Sequence, residues 1–169
     1  MLPLLAVMVV AIADFGAAWA LKDKLANAAR DGVRIAVSQI NDLTNSQKTA
    51  CGGAPCSAQS AATAVVNYLT KAGVNTCGLN PSAGPTTSNP TNFTWTYSAS
   101  GNNCAGPMSV VVARAVPVLS NGTTLLCTRV TVTYRFAWSF GRVVKLLAPS
   151  SSYGNTLTLS TAETMQNLN

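Results

Sequence analysis

The first 21 residues, MLPLLAVMVVAIADFGAAWAL, form an apolar run that contains a single charged side chain, Asp14. A helix of this length is about 30 Å long, which matches the apolar thickness of a bilayer. Pro3 fits this helix because proline is tolerated in the first turn. A cleaved signal peptide is the alternative, but it would have a basic start and a shorter apolar run. The sequence therefore predicts a retained apolar helix over residues 1–21.

From Lys22 onward the helical pattern continues but becomes amphipathic. Apolar residues recur every three or four positions from Leu25 to Leu43, with charged and amide side chains between them. Polar residues and two glycines that end helices follow after residue 44. We therefore expect one long helix over residues 1–48, apolar over 1–21 and amphipathic over 22–48, and a head over residues 49–169.

Within the head, a second helix is predicted over residues 57–73, with Ser57 as its N-cap and Gly73 as its C-terminal stop. Its expected buried stripe is Ala61, Val65, Tyr68 and Leu69. The segment 77–92 contains three prolines and is predicted to be an exposed loop without order.

Beyond Asn92 the apolar period changes from helical spacing to alternation, which predicts about four antiparallel strands. Asn121-Gly122 is a hairpin signal, and Pro117 indicates an edge strand or a bulge. Arg114, Arg129 and Arg135 are expected on a solvated strand face, or alternatively as a basic strip. The expected fold class is α+β, with a long N-terminal helix and a head of one helix and one sheet.

The chain contains no histidine, which excludes Ser-His and Cys-His catalysis and every histidine-containing metal site. With so few acids as well, no nucleophile–base pair is apparent, so we expect neither an enzyme nor a cofactor or metal. The 11 lysines and arginines are scattered rather than clustered, so nucleic acid is not expected as the main partner.

Charged residues make up only 9% of the chain, against about 25% in typical soluble domains. Such a composition suits a surface that packs against copies of itself or faces the outside of a cell. No Cys-x-x-Cys pair is present, so disulfides in an oxidising compartment are expected rather than a zinc site. Pairing of Cys51 with Cys56 and of Cys77 with Cys104 is plausible, although sequence does not fix connectivity. The candidates are Cys51, Cys56, Cys77, Cys104 and Cys127.

Two Asn-x-Thr triplets, at Asn92 and Asn121, are weak candidates for glycosylation. Such triplets arise often by chance, so they indicate little without a secreted context.

The N-terminal motifs resemble those of the TadE-like proteins, pilin-like components of the tight-adherence (Flp-type) pilus systems of bacteria. The resemblance lies in three elements in order. They are Leu2-Pro3, Asp14-Phe15-Gly16, and the segment Asn27-Ala28-Ala29-Arg30-Asp31-Gly32-Val33-Arg34. The last 40 residues are similar more loosely. A Gly-x-Ala-x-x-Glu-Phe-like segment usually precedes Leu-Pro in the family and is absent here. The two interpretations are a processed form and a boundary of the given sequence at residue 1.

The resemblance implies a structural subunit that polymerises through its N-terminal helix into an extracellular filament, or primes one as a minor pseudopilin. By the same resemblance, Asp14 pairs with the Met1 amine, Lys22 or Lys24 of an adjacent copy. Small residues such as Gly16 and Gly32 would allow helices to approach closely in the bundle. Intramembrane carboxylates are costly and therefore indicate function. An acid that snorkels or is exposed to water is the alternative for Asp14. The candidate assembly residues are Met1, Asp14, Phe15, Gly16, Trp19, Lys22, Lys24 and Gly32.

The expected partners are copies of the same chain, the inner membrane before assembly, and the pilus assembly machinery. The expected location is the bacterial inner membrane and then a filament on the cell surface. The alternative is a membrane-anchored cell-surface binding module that does not polymerise.

Overall fold

The structure is a computed structural model that describes residues 2–39, 42–43, 47–120, 122–138 and 156–167, with side chains from residue 8 onward. It contains two helices, a short 3-10 turn at Pro81–Ala83 and one antiparallel sheet. The α+β architecture with a long N-terminal helix is as predicted.

Helix α1 comprises Leu2–Ser38, so it ends at Ser38 rather than near residue 48. Described residues just beyond the end of α1 are bound to the head. The carbonyl of Gln39 accepts hydrogen bonds from the Arg114 guanidinium at 3.4 Å, and the Asp42 carboxylate accepts one from the backbone N–H of Ser57 at 2.6 Å. These contacts hold Gln39 and Asp42 against the head, outside the helix.

Helix α2 comprises Cys56–Lys71. Ser57 was expected to be its N-cap but lies inside the first turn; the cap position is Pro55, and Asp42 supplies the acceptor for the Ser57 N–H. At the other end Gly73 has a φ of +73° and follows the helix as predicted. The N–H of Gly73 bonds to the carbonyl of Thr70, and that of Val74 bonds to the carbonyl of Leu69, which is the Schellman arrangement.

The sheet has five strands in the order β1-β2-β3-β4-β5, each antiparallel to its sequence neighbour. Their bounds are Thr87–Asn89 for β1, Thr94–Ala99 for β2, Met108–Ser120 for β3, Thr123–Ala137 for β4 and Thr156–Gln166 for β5.

The strand count corrects the prediction of about four, and the additional strand is β1. It lies in the segment 77–92, which was predicted to have no order. The segment is ordered because the N–H of Thr86 bonds to the carbonyl of Thr96 at 2.8 Å and the hydroxyl of Ser88 donates to the carbonyl of Gly53 at 3.0 Å.

The β3–β4 hairpin turns where the sequence predicts, since Ser120 pairs with Thr123 across a two-residue loop. Gly122 has a φ of +78°, and Asn121 lies outside the described residues. The pairing register shifts between Ala113 and Val116, directly before Pro117, so of the two readings of that proline the structure has the bulge.

The core lies between the two helices and one face of the sheet. Trp95, Val112 and Val130 from the sheet are fully buried against Leu25 and Val65 from the helices. The alternating pattern of β2 to β4 is therefore confirmed, with its aromatic and β-branched face turned inward.

Two disulfides are present, Cys51–Cys56 and Cys77–Cys104. They are the two local pairings that the sequence suggested. The first holds the turn before α2 against the start of that helix, and the second joins the segment after α2 to the β2–β3 loop. Among the described residues Cys127 is a free cysteine, buried in β4.

Candidate assembly surface

The N-terminal half of α1 exposes a stripe of large apolar side chains. We name this set the apolar stripe. Its members are between 58% and 69% exposed: Met8, Val9, Ile12, Phe15 and Trp19. Residues 8, 12, 15 and 19 follow steps of four, three and four, which places them along one side of a helix. The same steps form the seam of helix bundles.

A second row of α1 faces the head. Ala18 is 5% exposed and Leu25 fully buried, and the row continues toward the N-terminus to Asp14, which is 8% exposed. Further along α1, Ala17 and Leu21 line a groove together with Tyr134 of β4. Asp14 therefore belongs to the side of the helix that is covered within the chain, and the apolar stripe lies on a different side.

The residues of the Asp14-Phe15-Gly16 motif have three different surroundings. Asp14 is buried, Phe15 is 67% exposed on the apolar stripe, and a Cβ placed on Gly16 would meet no atom within 4 Å. Trp19 lies one turn further along the stripe, 62% exposed. Asp14 is therefore not exposed to water in the single chain, which was part of the alternative to an intersubunit pair.

Gly32 lies where α1 crosses α2. A Cβ on Gly32 would be 2.7 Å from Cγ2 of Val65 and 3.2 Å from the carbonyl oxygen of Ala61. Ala28 and Ala29 are fully buried on the same side. The close approach that these small residues allow is thus between two helices of one chain.

The two lysines that were expected to pair with Asp14 have different surroundings. Lys24 donates a hydrogen bond from Nζ to the carbonyl of Ala72 at 2.8 Å, at the C-terminus of α2, where a cation is favoured by the helix dipole. Lys22 is exposed on α1, and Met1 lies outside the described residues.

Arg114 is not part of a solvated face, which corrects that expectation. Its side chain is fully buried; it donates to the hydroxyl of Ser57 and pairs with Asp42 at 3.4 Å. Burial lowers the pKa of Arg114, and the Asp42 carboxylate opposes that shift. Arg114 therefore joins the bulge of β3 to the start of α2, whereas Arg129 and Arg135 are exposed on β4.

Of the two glycosylation candidates, Asn92 is exposed in the turn before β2, and Asn121 lies outside the described residues.

Within the part of the chain that the structure describes, no helix is both long and apolar enough to cross a membrane. Residue 1 and the side chains of residues 2–7, which belong to the membrane-spanning helix expected over residues 1–21, lie outside the described residues.

The family model described as TadE-like protein matches residues 1–34. The N-terminal segment is similar to that family. This confirms the resemblance drawn from the three motifs, and it is consistent with a TadE-like protein of tight-adherence pilus systems. The TadE-like segment includes both the apolar stripe and Gly32 at the helix crossing. No curated protein and no solved structure matches the chain.

Three members of the apolar stripe, Met8, Val9 and Ile12, were not among the residues selected from the sequence. The signal that identifies them is their spacing relative to Phe15 and Trp19. Because residues 1–21 are apolar on every side of the helix, the sequence does not show which side stays exposed. That becomes clear only when the structure shows which side the head covers.

Proposed function

We propose that this chain is a structural, pilin-like component of a tight-adherence pilus. In this proposal the apolar stripe packs against copies of the chain, or against related subunits, in the core of a filament. The observation that carries the proposal is the exposure of the stripe, with Phe15 67% and Ile12 69% exposed in the single chain. The TadE-like match over the same segment supports it.

The free energy available from the stripe is sufficient for association. Fully burying a large apolar side chain contributes about 1.5–3 kcal/mol, and each stripe residue already has part of its surface covered. Five such residues therefore contribute about 5–10 kcal/mol of gross stabilisation per subunit, before the entropic cost of association. Single exposed apolar residues are common on soluble proteins, whereas a continuous row of this size marks an interaction site.

The proposal divides the chain by function. The part of α1 up to residue 21 enters the filament core, and the head over residues 49–169 coats the outside. Residues 22–38 of α1 belong to the core of the head, because Leu25 and Val33 pack inside it. The pilus assembly machinery is the proposed partner, with the inner membrane before assembly and the outside of the cell afterwards. The two disulfides suit that oxidising destination.

An assembly role for Asp14 stays part of the proposal. In one chain Lys24 bonds to α2, so Lys22 is the better candidate base on a neighbouring copy. Because Asp14 is 8% exposed in the single chain, such a pair requires the carboxylate to become accessible during assembly. Asp14→Ala is expected to lower filament yield. An unchanged yield from a folded Asp14→Ala chain would show that the assembly role is wrong.

The proposed function is tested by immunogold electron microscopy of piliated cells that produce the chain with an epitope tag after residue 169. Label along the filaments identifies a regular subunit, and label at the ends alone identifies a priming or tip component. Label confined to the cell body, on cells with normal pili, would contradict the proposal and favour a membrane-anchored binding module.

A further inference from the structure

One face of the sheet is turned away from both helices. The side chains of a strand alternate between its two faces, and in β2 to β5 the inward positions include Trp95, Val112, Val130 and Leu159. The residues between them point outward, in cross-strand rows set by the pairing register. We name this surface the outer sheet face. It extends from β1 across β2 and the part of β3 before the bulge to β4 and β5.

Short hydroxyl side chains dominate the outer sheet face. One row aligns Ser109 with Thr133 and Ser160, and the next aligns Thr96 with Thr131. The hydroxyls of Thr133 and Ser160 lie 3.2 Å apart and form a hydrogen bond across the strands. The result is a regular surface of donors and acceptors held on a rigid sheet.

The charge of this face has one sign. Arg129 and Arg135 are its exposed cations, and their separation of six residues along β4 corresponds to about 20 Å. Arg129 donates from Nε to Oγ1 of Thr164 at 3.1 Å, a bond that fixes one edge of the guanidinium. Among the described residues of the outer sheet face there is no carboxylate. Glu163 of β5 lies on the opposite face, where it pairs with Arg30 of α1 at 3.1 Å.

Between Arg129 and Arg135 of β4 and on the strands paired with that stretch, the apolar side chains of the outer sheet face are small, namely Val111, Ala113 and Ala162. Protein interfaces depend on large buried anchors, and membranes on exposed apolar and aromatic groups, so neither suits this surface. Single-stranded nucleic acid is held by stacking on aromatic rings, and the described residues of this face include none. A hydroxyl-rich polyanion fits better than any of these.

We propose that the outer sheet face binds an acidic polysaccharide. The two guanidinium groups pair with carboxylate or sulfate groups of the polymer, because arginine presents a planar array of donors to such anions. The serine and threonine hydroxyls between them bond to sugar hydroxyls, since each can both donate and accept. The proposal does not depend on polymerisation of the chain, and a filament would add avidity to a weak single site.

The test compares binding of the purified full chain to immobilised polygalacturonate and to neutral dextran at physiological salt. We expect the wild-type chain to bind the acidic polymer and not dextran. Arg129→Ala with Arg135→Ala is expected to lower affinity about tenfold, which corresponds to about 1.4 kcal/mol. The matched control is Arg34→Ala with Lys71→Ala, which removes the same charge from the exposed sides of the helices and is expected to change affinity less than about twofold.

A second variant tests the contribution of the hydroxyl groups separately from that of the arginines. Thr131→Val with Thr158→Val keeps the β-branched shape and both arginines but removes two hydroxyls, and we expect a several-fold loss of affinity. Four results would overturn the proposal. They are no binding of polygalacturonate, equal loss in the helix control, unchanged binding by the valine variant, or equally tight binding of double-stranded DNA.

Discussion

Gly16 and Gly32 are both in the middle of α1, yet their surroundings differ. Gly16→Ala is expected to stabilise the single chain by about 0.5–1 kcal/mol, because alanine favours a helix and its Cβ meets open space. Gly32→Ala is expected to destabilise it by about 1–2 kcal/mol, since the new Cβ would lie 2.7 Å from Cγ2 of Val65. Urea unfolding of both variants measures this difference. Equal effects would mean that the α1–α2 crossing is looser than the structure shows.

Because Tyr97 is buried, we expect the folded chain to lose stability at alkaline pH. Burial raises its pKa well above the usual range, and its hydroxyl has no hydrogen-bond partner among the described residues. The unfolded chain releases this proton near pH 10 and the folded chain does not, so the unfolded state is favoured as the pH rises above about 10. Between pH 8 and pH 10.5, Tyr97 is expected to lower the free energy of unfolding by about 1 kcal/mol.

The control is Tyr97→Phe, which removes the ionisable group but keeps the ring. It is expected to unfold at pH 8 with a free energy equal to or above that of the wild type, because the hydroxyl leaves no bonded partner behind. The part of the alkaline loss that Tyr97 causes should disappear. An unchanged pH profile would assign the loss to other groups, of which Tyr134, whose pKa burial also raises, is one.

The charged side chains were the least predictable residues. Asp14, Lys24 and Arg114 all looked available for contacts outside the chain, but Asp14 is buried, Lys24 caps α2 and Arg114 lies inside the core. Periodicity assigns a residue to a side of its own element. It contains no information on which other element covers that side.

At the scale of elements, Arg114 joins three parts of the chain that are far apart in sequence. Its guanidinium contacts the carbonyl of Gln39, the Asp42 carboxylate and the hydroxyl of Ser57. Removing one partner of a buried ion pair leaves the other uncompensated, which typically costs about 3–5 kcal/mol. Arg114→Ala is therefore expected to lower the free energy of unfolding by about 3 kcal/mol or more.

Arg129→Ala provides the comparison, because Arg129 lies on the same sheet but is exposed. Surface substitutions of this kind usually change stability by about 0.5 kcal/mol or less. Both free energies are obtained from urea unfolding at neutral pH. A similar small loss in the two variants would show that packing alone holds the β3 bulge against α2.

The elements with a strong period were predictable, and those held by distant contacts were not. Alternation identified β2 to β5, and the spacing of Ala61, Val65 and Leu69 identified α2. The end of α1 and strand β1 were missed because each depends on hydrogen bonds to residues remote in sequence. Gln39 is held by Arg114, and Thr86 is held by Thr96.

At the scale of the whole molecule, the large exposed apolar residues are not spread evenly. Most lie on the apolar stripe, and a second pair, Leu119 and Leu126, is 74% and 55% exposed on the β3–β4 hairpin. The bulge of β3, level with the end of α1, separates this hairpin end from the core. The part of the chain that the structure describes therefore has two apolar regions of comparable exposure, and the proposed function uses one of them.

This difference allows a matched test of assembly. Ile12→Gln with Phe15→Gln removes two apolar side chains from the stripe, and glutamine keeps the helix propensity high. Filaments are expected to be lost, because about 2–4 kcal/mol of apolar stabilisation disappears at every subunit contact. Leu119→Gln with Leu126→Gln makes the same chemical change on the hairpin and is expected to leave filaments intact. Electron microscopy counts the filaments, and thermal unfolding confirms that both variants fold. Filaments from the stripe variant, or their loss from the hairpin variant alone, would place the subunit contact elsewhere than on α1.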